Sequence, residues 1–135
     1  RVDHDCAVEL ARLGRAAGVT HFGLVSAIGA DAASRVFYNR VKGEVERDVR
    51  ALGYASLAIA RPSVLLGARA KVRPAEALMG FAGVLAPRAW RPVAAERVAA
   101  ALVRRAAARH PGVEILENDA LGREARLPRS EGDTP

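Results

Sequence analysis

The alternation of short apolar runs with longer segments of helical periodicity constrains the fold of this chain more than any other feature. Residues 21–26 and 56–60 are almost continuously apolar, which is typical of short strands buried on both faces of a parallel sheet. Helical spacing of apolar residues covers 3–17, 32–52 and 94–109. Residues 113–116 alternate, as in a strand at a sheet edge. This order predicts the α/β class, with a parallel sheet flanked by helices.

The first two helices each have a predicted buried face. The first is expected to begin at Asp3 or Asp5, which are good N-caps, and to end at Gly18. Its predicted core face consists of Val8, Leu10, Leu13 and Ala17. The face predicted for the second consists of Val36, Phe37, Val41, Val45, Val49 and Leu52. The charged residues of this helix, Glu44, Glu46, Arg47, Asp48 and Arg50, are interpreted as a solvated face.

The segment between the second strand and the last helix has weaker patterns. Residues 64–67 fit a strand extension, a helical turn or a packed loop, and these alternatives stay open. A helix is expected to open at Pro74. Trp90 is expected in a loop, where it either lines a substrate pocket or anchors the loop. Residues 123–135 are expected to form a poorly ordered tail.

Composition excludes several classes of protein. The chain has 135 residues, half of them hydrophobic, which suffices for one folded domain. Cys6 is the only cysteine and is expected to pack rather than react, so a reducing, cytoplasmic setting is predicted. The three histidines and Cys6 lack zinc-ligand spacing, so no metal is expected. No apolar run reaches the roughly 18 residues that span a bilayer, so no membrane partner is expected.

The net charge of +6 permits attraction to phosphate-bearing partners. The arginines that supply it are scattered through Ala-rich helical stretches, and only 4% of residues are aromatic. Such a chain has few rings on which single-stranded bases could stack. Nucleic acid is therefore not an expected partner.

Tyr38 and Lys42 are the residues best suited to chemistry. Residues four apart lie on the same face of a helix, so the phenol and the ammonium can share one cleft. A nearby cation favours the phenolate, which makes proton exchange near neutral pH feasible. Ser26 ends the first strand, where a hydroxyl could polarise a carbonyl oxygen at the ligand-binding edge of a parallel sheet. The alternative is an ordinary solvated Tyr–Lys pair.

Four motifs in order carry a resemblance to a known family: LVSAIGA at 24–30, YNRVKGEVE at 38–46, ARPSVLLG at 60–67 and ILEN at 115–118. Together they resemble the atypical short-chain dehydrogenase/reductases. The resemblance is greatest to the branch of Tat-interacting-protein oxidoreductases and nucleoside-diphosphate-sugar-epimerase-like proteins. It implies a Rossmann-like, doubly wound parallel sheet that binds NAD(P).

The family's known chemistry implies a role for each matching residue. Tyr38 would exchange a proton with a substrate oxygen, while Lys42 would assist it and hold the nicotinamide ribose. Ser26 would be the strand-end hydroxyl. The segment of Arg61, Pro62, Ser63 and Val64 would lie beside the nicotinamide and contact its carboxamide through backbone groups; for Arg61 and Pro62 the alternative is a simple strand stop. The implied partners are NADP or NAD, with NADP preferred, and a small carbonyl/alcohol or sugar-nucleotide-like substrate.

Two departures from the family pattern qualify these expectations. Ala27 stands where many relatives have a second, often catalytic, serine. No Gly-x-Gly-x-x-Gly turn links a strand to a helix, so residues 1–122 are expected to be the C-terminal part of one NAD(P)-binding domain that lacks its N-terminal βαβ half. Such a fragment is expected to be inactive alone. A second hypothesis is a non-catalytic cofactor-binding regulatory or protein-interaction module.

Overall fold

The structure, a computed structural model, describes residues 2–63, 65–66 and 87–124. Its helices are α1 (Val2–Ala16), α2 (Phe37–Ala51), α3 (Ala95–Ala108) and α4 (Asn118–Arg123), with a 3-10 turn at Arg88–Trp90. Its strands are β1 (His21–Val25), β2 (Ser56–Arg61), β3 (Leu65–Leu66), β4 (Val93–Ala94) and β5 (Gly112–Glu117). The predicted alternation of helices and strands is therefore confirmed.

The main sheet has three parallel strands in the order β1-β2-β5. On one face Leu24, Leu57 and Ile59 pack with residues of α1 and α2. On the other face Ala60 and Leu116 pack with residues of α3 and α4. The short strands β3 and β4 form a separate parallel pair. A three-stranded parallel sheet flanked by helices is the partial Rossmann-like fold that the sequence predicted.

The burial of the strands follows their position in the sheet. Residues 56–60 of the central strand β2 are all buried, as predicted. The same prediction is wrong for β1, where Leu24 is buried but Gly23 and Val25 are exposed. Leu24 packs against α1 and α2, whereas the other face of β1, which carries Gly23 and Val25, is less covered, so this apolar run is buried on one face only.

Helix α1 packs with only part of its predicted face, because Val8 is buried as expected but Leu10 and Leu13 are not. Val8 and Ala11 enter the core, whereas Leu10 and Leu13 are 64% and 59% exposed. Cys6 is also exposed, so the expectation that it packs is wrong. The expected N-caps are wrong as well, because the helix begins at Val2 and its first turns include Asp3 and Asp5. The expected end at Gly18 is confirmed, since this glycine follows the helix with a positive φ of 84°. Since the core lies on the α2 side of α1, its outer apolar residues stay in solvent.

Helix α2 begins at Phe37, five residues after the predicted start. The Asp31 carboxylate accepts a hydrogen bond from the amide of Ala33, and the Ser34 hydroxyl accepts one from the amide of Val36. Such local side-chain bonds compete with helical hydrogen bonding and hold the preceding residues in turns. Val36 and Phe37 were predicted to be buried, but they lie before and at the first turn and are exposed.

Two further predictions concern a helix at Pro74 and a poorly ordered tail at 123–135. The expected helix at Pro74 and residues 125–135 of the expected tail lie outside the described residues. Before that point, α4 extends to Arg123, and the carboxylate of Glu124 pairs with Arg104 and Arg105. In the described ranges, no helix is long and apolar enough to cross a membrane.

His4 connects α1 to α2. Its Nε2 lies 3.0 Å from a carboxylate oxygen of Asp48, and its Nδ1 lies 2.8 Å from one of Asp5. The bond to Asp5, with smaller contributions from Asp48, raises the pKa of His4 above its usual range although burial opposes this. Protonated His4 therefore stabilises the α1–α2 contact.

We expect this contact to make stability depend on pH. The contribution of His4 to the free energy of unfolding is about 0.5 kcal/mol. It is complete below the unfolded histidine pKa of about 6.5 and is lost as pH rises through the raised pKa of the folded protein. Urea unfolding from mildly acidic to alkaline pH should show this decline in the parent protein and not in His4→Gln. Burial lowers the pKa of His21, so this residue makes stability change with pH in the opposite direction. The effect of His21 is the same in the parent protein and in His4→Gln, so it cancels in the comparison. Identical pH profiles for the two proteins would contradict the assignment.

Candidate functional site

The candidate site lies at the carboxyl edge of the parallel sheet. The loop after β1 and the segment after β2 are joined there by backbone hydrogen bonds. The amide of Ser26 donates to the Ala60 carbonyl at 2.7 Å, and the amide of Ile28 donates to the Pro62 carbonyl at 2.9 Å. Helix α2 starts at the end of the first loop, so its first turns lie at the same edge. Strand ends of this kind form the ligand crevice in open α/β sheets.

Tyr38 and Lys42 come together as the four-residue spacing predicted. The Lys42 ammonium lies 5.7 Å from the centre of the Tyr38 ring, within the range of a cation–π contact. Tyr38 is 58% exposed and Lys42 is half-buried. The phenol is therefore open to a ligand, and the cation beside it is partly withdrawn from water.

Ser26 is placed differently, because it is 5% exposed and its hydroxyl oxygen is buried. Within the described part of the chain this oxygen has no hydrogen-bond partner. A buried hydroxyl without a partner is unusual, since burial without a hydrogen bond costs about 1–3 kcal/mol. Its neighbour Ala27 is equally buried, so a serine at that position would also face the interior.

Arg61 ends β2, and its guanidinium is held by two carboxylates. It donates two hydrogen bonds to Glu46, at 2.9 and 2.7 Å, and one to Glu117 at 3.1 Å. The Glu46 pairing raises the pKa of Arg61 above its usual range. Glu46 is only 3% exposed, so interpreting it as part of a solvated helix face was wrong. No local sequence pattern indicates the burial of Glu46, because its partner Arg61 lies 15 residues further along the chain.

Pro62 and Ser63 use their backbone groups within the protein. The Pro62 carbonyl accepts the bond from Ile28, and the Ser63 amide donates to Oδ1 of Asn118 at 2.7 Å. The Ser63 amide is therefore committed within the protein, whereas the Pro62 carbonyl keeps a second lone pair that a carboxamide could use. Val64, the last residue of the expected set, lies outside the described residues.

Asn118, the last residue of the ILEN motif, lies at the edge of the candidate site, although the sequence assigned it no role. It follows β5, so it reaches the same edge as Ser26 and Ser63, and it is 2% exposed. Its amide nitrogen donates to the Arg91 carbonyl at 2.8 Å, and the Ser63 hydroxyl donates to the same carbonyl at 2.8 Å. The available signal was the ILEN motif, which ends at Asn118 two residues after the predicted strand 113–116.

A cavity of about 520 Å³ opens beside α2. Its charged lining consists of Asp31, Glu46, Arg47, Arg50 and Arg61. Glu46 is already paired with Arg61 and lies 3.5 Å from Arg50, so much of this charge is compensated internally. Ser26, Tyr38 and Lys42 do not line it. The cavity is therefore separate from the candidate site. Among the described residues, no cluster of His, Cys, Asp or Glu could hold a metal ion.

The chain is similar in sequence to several curated proteins. The chain is 40% identical over 126 residues to protein HTATIP2 of Rattus norvegicus, which covers 90% of this chain and 52% of that protein. It is 44% identical over 86 residues to "Protein fmp52, mitochondrial" of Aspergillus niger, covering 63% of this chain and 37% of that protein. For the protein of that name in Aspergillus fumigatus, the identity is 46% over 81 residues, covering 60% and 35%.

These relatives support the atypical short-chain dehydrogenase/reductase branch. The chain spans about half the length of HTATIP2 and a little over a third of the fmp52 proteins. No family model matches the chain. The expectation of a cytoplasmic location is wrong on this comparison, because the fmp52 relatives are named as mitochondrial proteins. One cysteine and the absence of disulfides do not distinguish between reducing compartments.

Proposed function

We propose that residues 1–122 form the C-terminal, nicotinamide-proximal part of an NAD(P)-dependent oxidoreductase-type domain. The substrate is a carbonyl/alcohol or sugar-nucleotide-like compound, and Tyr38 and Lys42 form the proton relay. The observation that carries the proposal is the Tyr38–Lys42 pair, with an open phenol, at the carboxyl edge of a parallel sheet. The relatives support the same branch of proteins.

The described residues fit one end of a nicotinamide dinucleotide. Lys42 has an ammonium suited to ribose hydroxyls, and the buried Ser26 hydroxyl lacks a partner at the same edge. Arg61 does not fit a direct role, because its guanidinium is already bonded to Glu46 and Glu117. The fit therefore rests on Tyr38, Lys42 and Ser26.

The proposed chemistry assigns one task to each of these side chains. A bound nicotinamide ring would supply or accept the hydride. The Tyr38 hydroxyl donates its proton to the substrate oxygen when a carbonyl is reduced, and the phenolate takes the proton back in the reverse reaction. The Lys42 ammonium stabilises that phenolate. The Ser26 hydroxyl would become a second donor to the substrate oxygen after a local movement that exposes it.

Binding of NADPH and NADH to the protein expressed from its full natural reading frame tests this proposal. The fluorescence of the reduced nicotinamide reports binding without a label. We expect Lys42→Met to raise the Kd about tenfold, because a charge-assisted hydrogen bond to the ribose is lost. Tyr38→Phe is the matched control, which should bind the dinucleotide but lose turnover. Equal Kd values for the parent protein and Lys42→Met would contradict the proposal.

A non-catalytic module that binds the cofactor is the second candidate. It is favoured by the buried Ala27, which stands where the family often has its catalytic serine. In that case Tyr38→Phe leaves the biological role intact, whereas an enzyme loses its turnover.

A further inference from the structure

Three separate parts of the chain meet at Asn118. They are the second residue after β2, the loop before β4 and the first residue of α4, which is Asn118 itself. The Asn118 side chain spans them, since its oxygen accepts the Ser63 amide at 2.7 Å and its nitrogen donates to the Arg91 carbonyl at 2.8 Å. Ser63 closes the group by donating its hydroxyl to that same carbonyl at 2.8 Å. Both ends of the buried amide are satisfied, and each bond reaches a different segment.

This junction fixes the position of the segment after β2. Ile28 bonds the Pro62 carbonyl from the side of β1, and Asn118 bonds the next residue, Ser63, from the side of β5. Consecutive residues at the end of the central strand are thus held from opposite sides. The oxygen and the nitrogen of this buried amide each have a partner, so breaking either bond leaves a polar group unpaired and favours a single conformation.

We propose that Asn118 is a positioning residue that sets the conformation of the Pro62–Ser63 segment and thereby the affinity of the neighbouring nicotinamide site. The link to nicotinamide rests on the proposed function, while the hold on Ser63 does not. Asn118 touches no ligand in this proposal, because both ends of its amide are committed to the protein.

Asn118→Ala is compared with Tyr54→Phe in the experiment that tests this proposal. Tyr54 donates a buried hydrogen bond to the Ala11 carbonyl in the core between α1, α2 and the sheet, at the opposite end of β2 from Ser63. Each variant loses buried side-chain hydrogen bonding to the backbone, but only Asn118→Ala frees Ser63. Three quantities are measured in the protein from its full reading frame: the Kd for NADPH, amide hydrogen exchange at Ser63, and urea stability.

We expect Asn118→Ala to accelerate exchange of the Ser63 amide at least tenfold and to raise the Kd about tenfold. Tyr54→Phe should lower stability while leaving both quantities at their parent values. Asn118→Asp should restore protection of the Ser63 amide, because the acceptor oxygen is kept. Parent-like affinity in Asn118→Ala, or equal loss of affinity in Tyr54→Phe, would overturn the positioning role.

A parent protein that binds no dinucleotide would count against the proposed function alone. Hydrogen exchange at the Ser63 amide still tests whether Asn118 fixes the Pro62–Ser63 segment. Accelerated exchange in Asn118→Ala would support that role. Unchanged exchange at Ser63 overturns it, whatever the cofactor binding.

Discussion

Gly43→Ala should destabilise the protein by about 3 kcal/mol, although alanine is the better helix former. Gly43 is buried in α2, where the loop after β1 crosses the helix. A Cβ atom there would lie 2.1 Å from the backbone nitrogen of Ala32 and 2.2 Å from the carbonyl carbon of Asp31. Backbone atoms at such distances can be accommodated only if the loop moves away from the helix. Alanine's helix propensity contributes about 1 kcal/mol in the opposite direction and is outweighed.

Gly122→Ala is the matched control for this prediction. Gly122 also lies in a helix, α4, but a Cβ there would meet nothing within 4 Å. The change should therefore be neutral or stabilise the protein by up to about 1 kcal/mol. Urea denaturation of the two variants against the parent provides the comparison. Similar stabilities for Gly43→Ala and Gly122→Ala would show that the loop does not pack against α2 as described.

The fold could be predicted where burial follows from the local pattern. Helix α3 lies close to its predicted bounds because it buries one apolar side against the sheet, and β2 is buried as predicted because it lies between two other strands. Prediction failed where burial depends on how many neighbours an element has. The apolar runs of β1 and α1 look like buried elements, but β1 ends the described sheet and the outer side of α1 remains in solvent.

The candidate site could be predicted only in part, for a similar reason. The Tyr38–Lys42 contact follows from spacing along one helix, which the sequence displays directly. The bonds of Glu46 to Arg61 and of Asn118 to Ser63 join residues 15 and 55 positions apart. Such pairs leave no periodic pattern in the sequence. A buried carboxylate within a charged run, such as Glu46, therefore cannot be distinguished from a solvated one until its partner is known.

The Glu46–Arg61 pair should make a large contribution to stability, and the cost of breaking it depends on which partner is removed. Glu46→Ala leaves the Arg61 guanidinium, whose side chain is 21% exposed, with Glu117 as its remaining partner. We expect a loss of about 2–3 kcal/mol in the free energy of unfolding, measured by urea denaturation. The exposed Glu9–Arg12 pair is the matched control, and Glu9→Ala should change stability by less than about 0.5 kcal/mol.

A double variant separates the energy of pairing from the penalty of an unpaired charge. Glu46→Leu combined with Arg61→Met replaces both charges with apolar groups of similar size, so no buried charge is left alone. We expect it to be more stable than Glu46→Ala, because the penalty in the single variant comes mainly from the stranded guanidinium. If the double variant is the less stable of the two, the ion pair itself, and not the avoidance of a lone charge, holds the end of β2 against α2. In either case the pair joins the helix that carries Tyr38 and Lys42 to the strand end beside Ser63, so its loss should also move these two parts of the candidate site relative to each other.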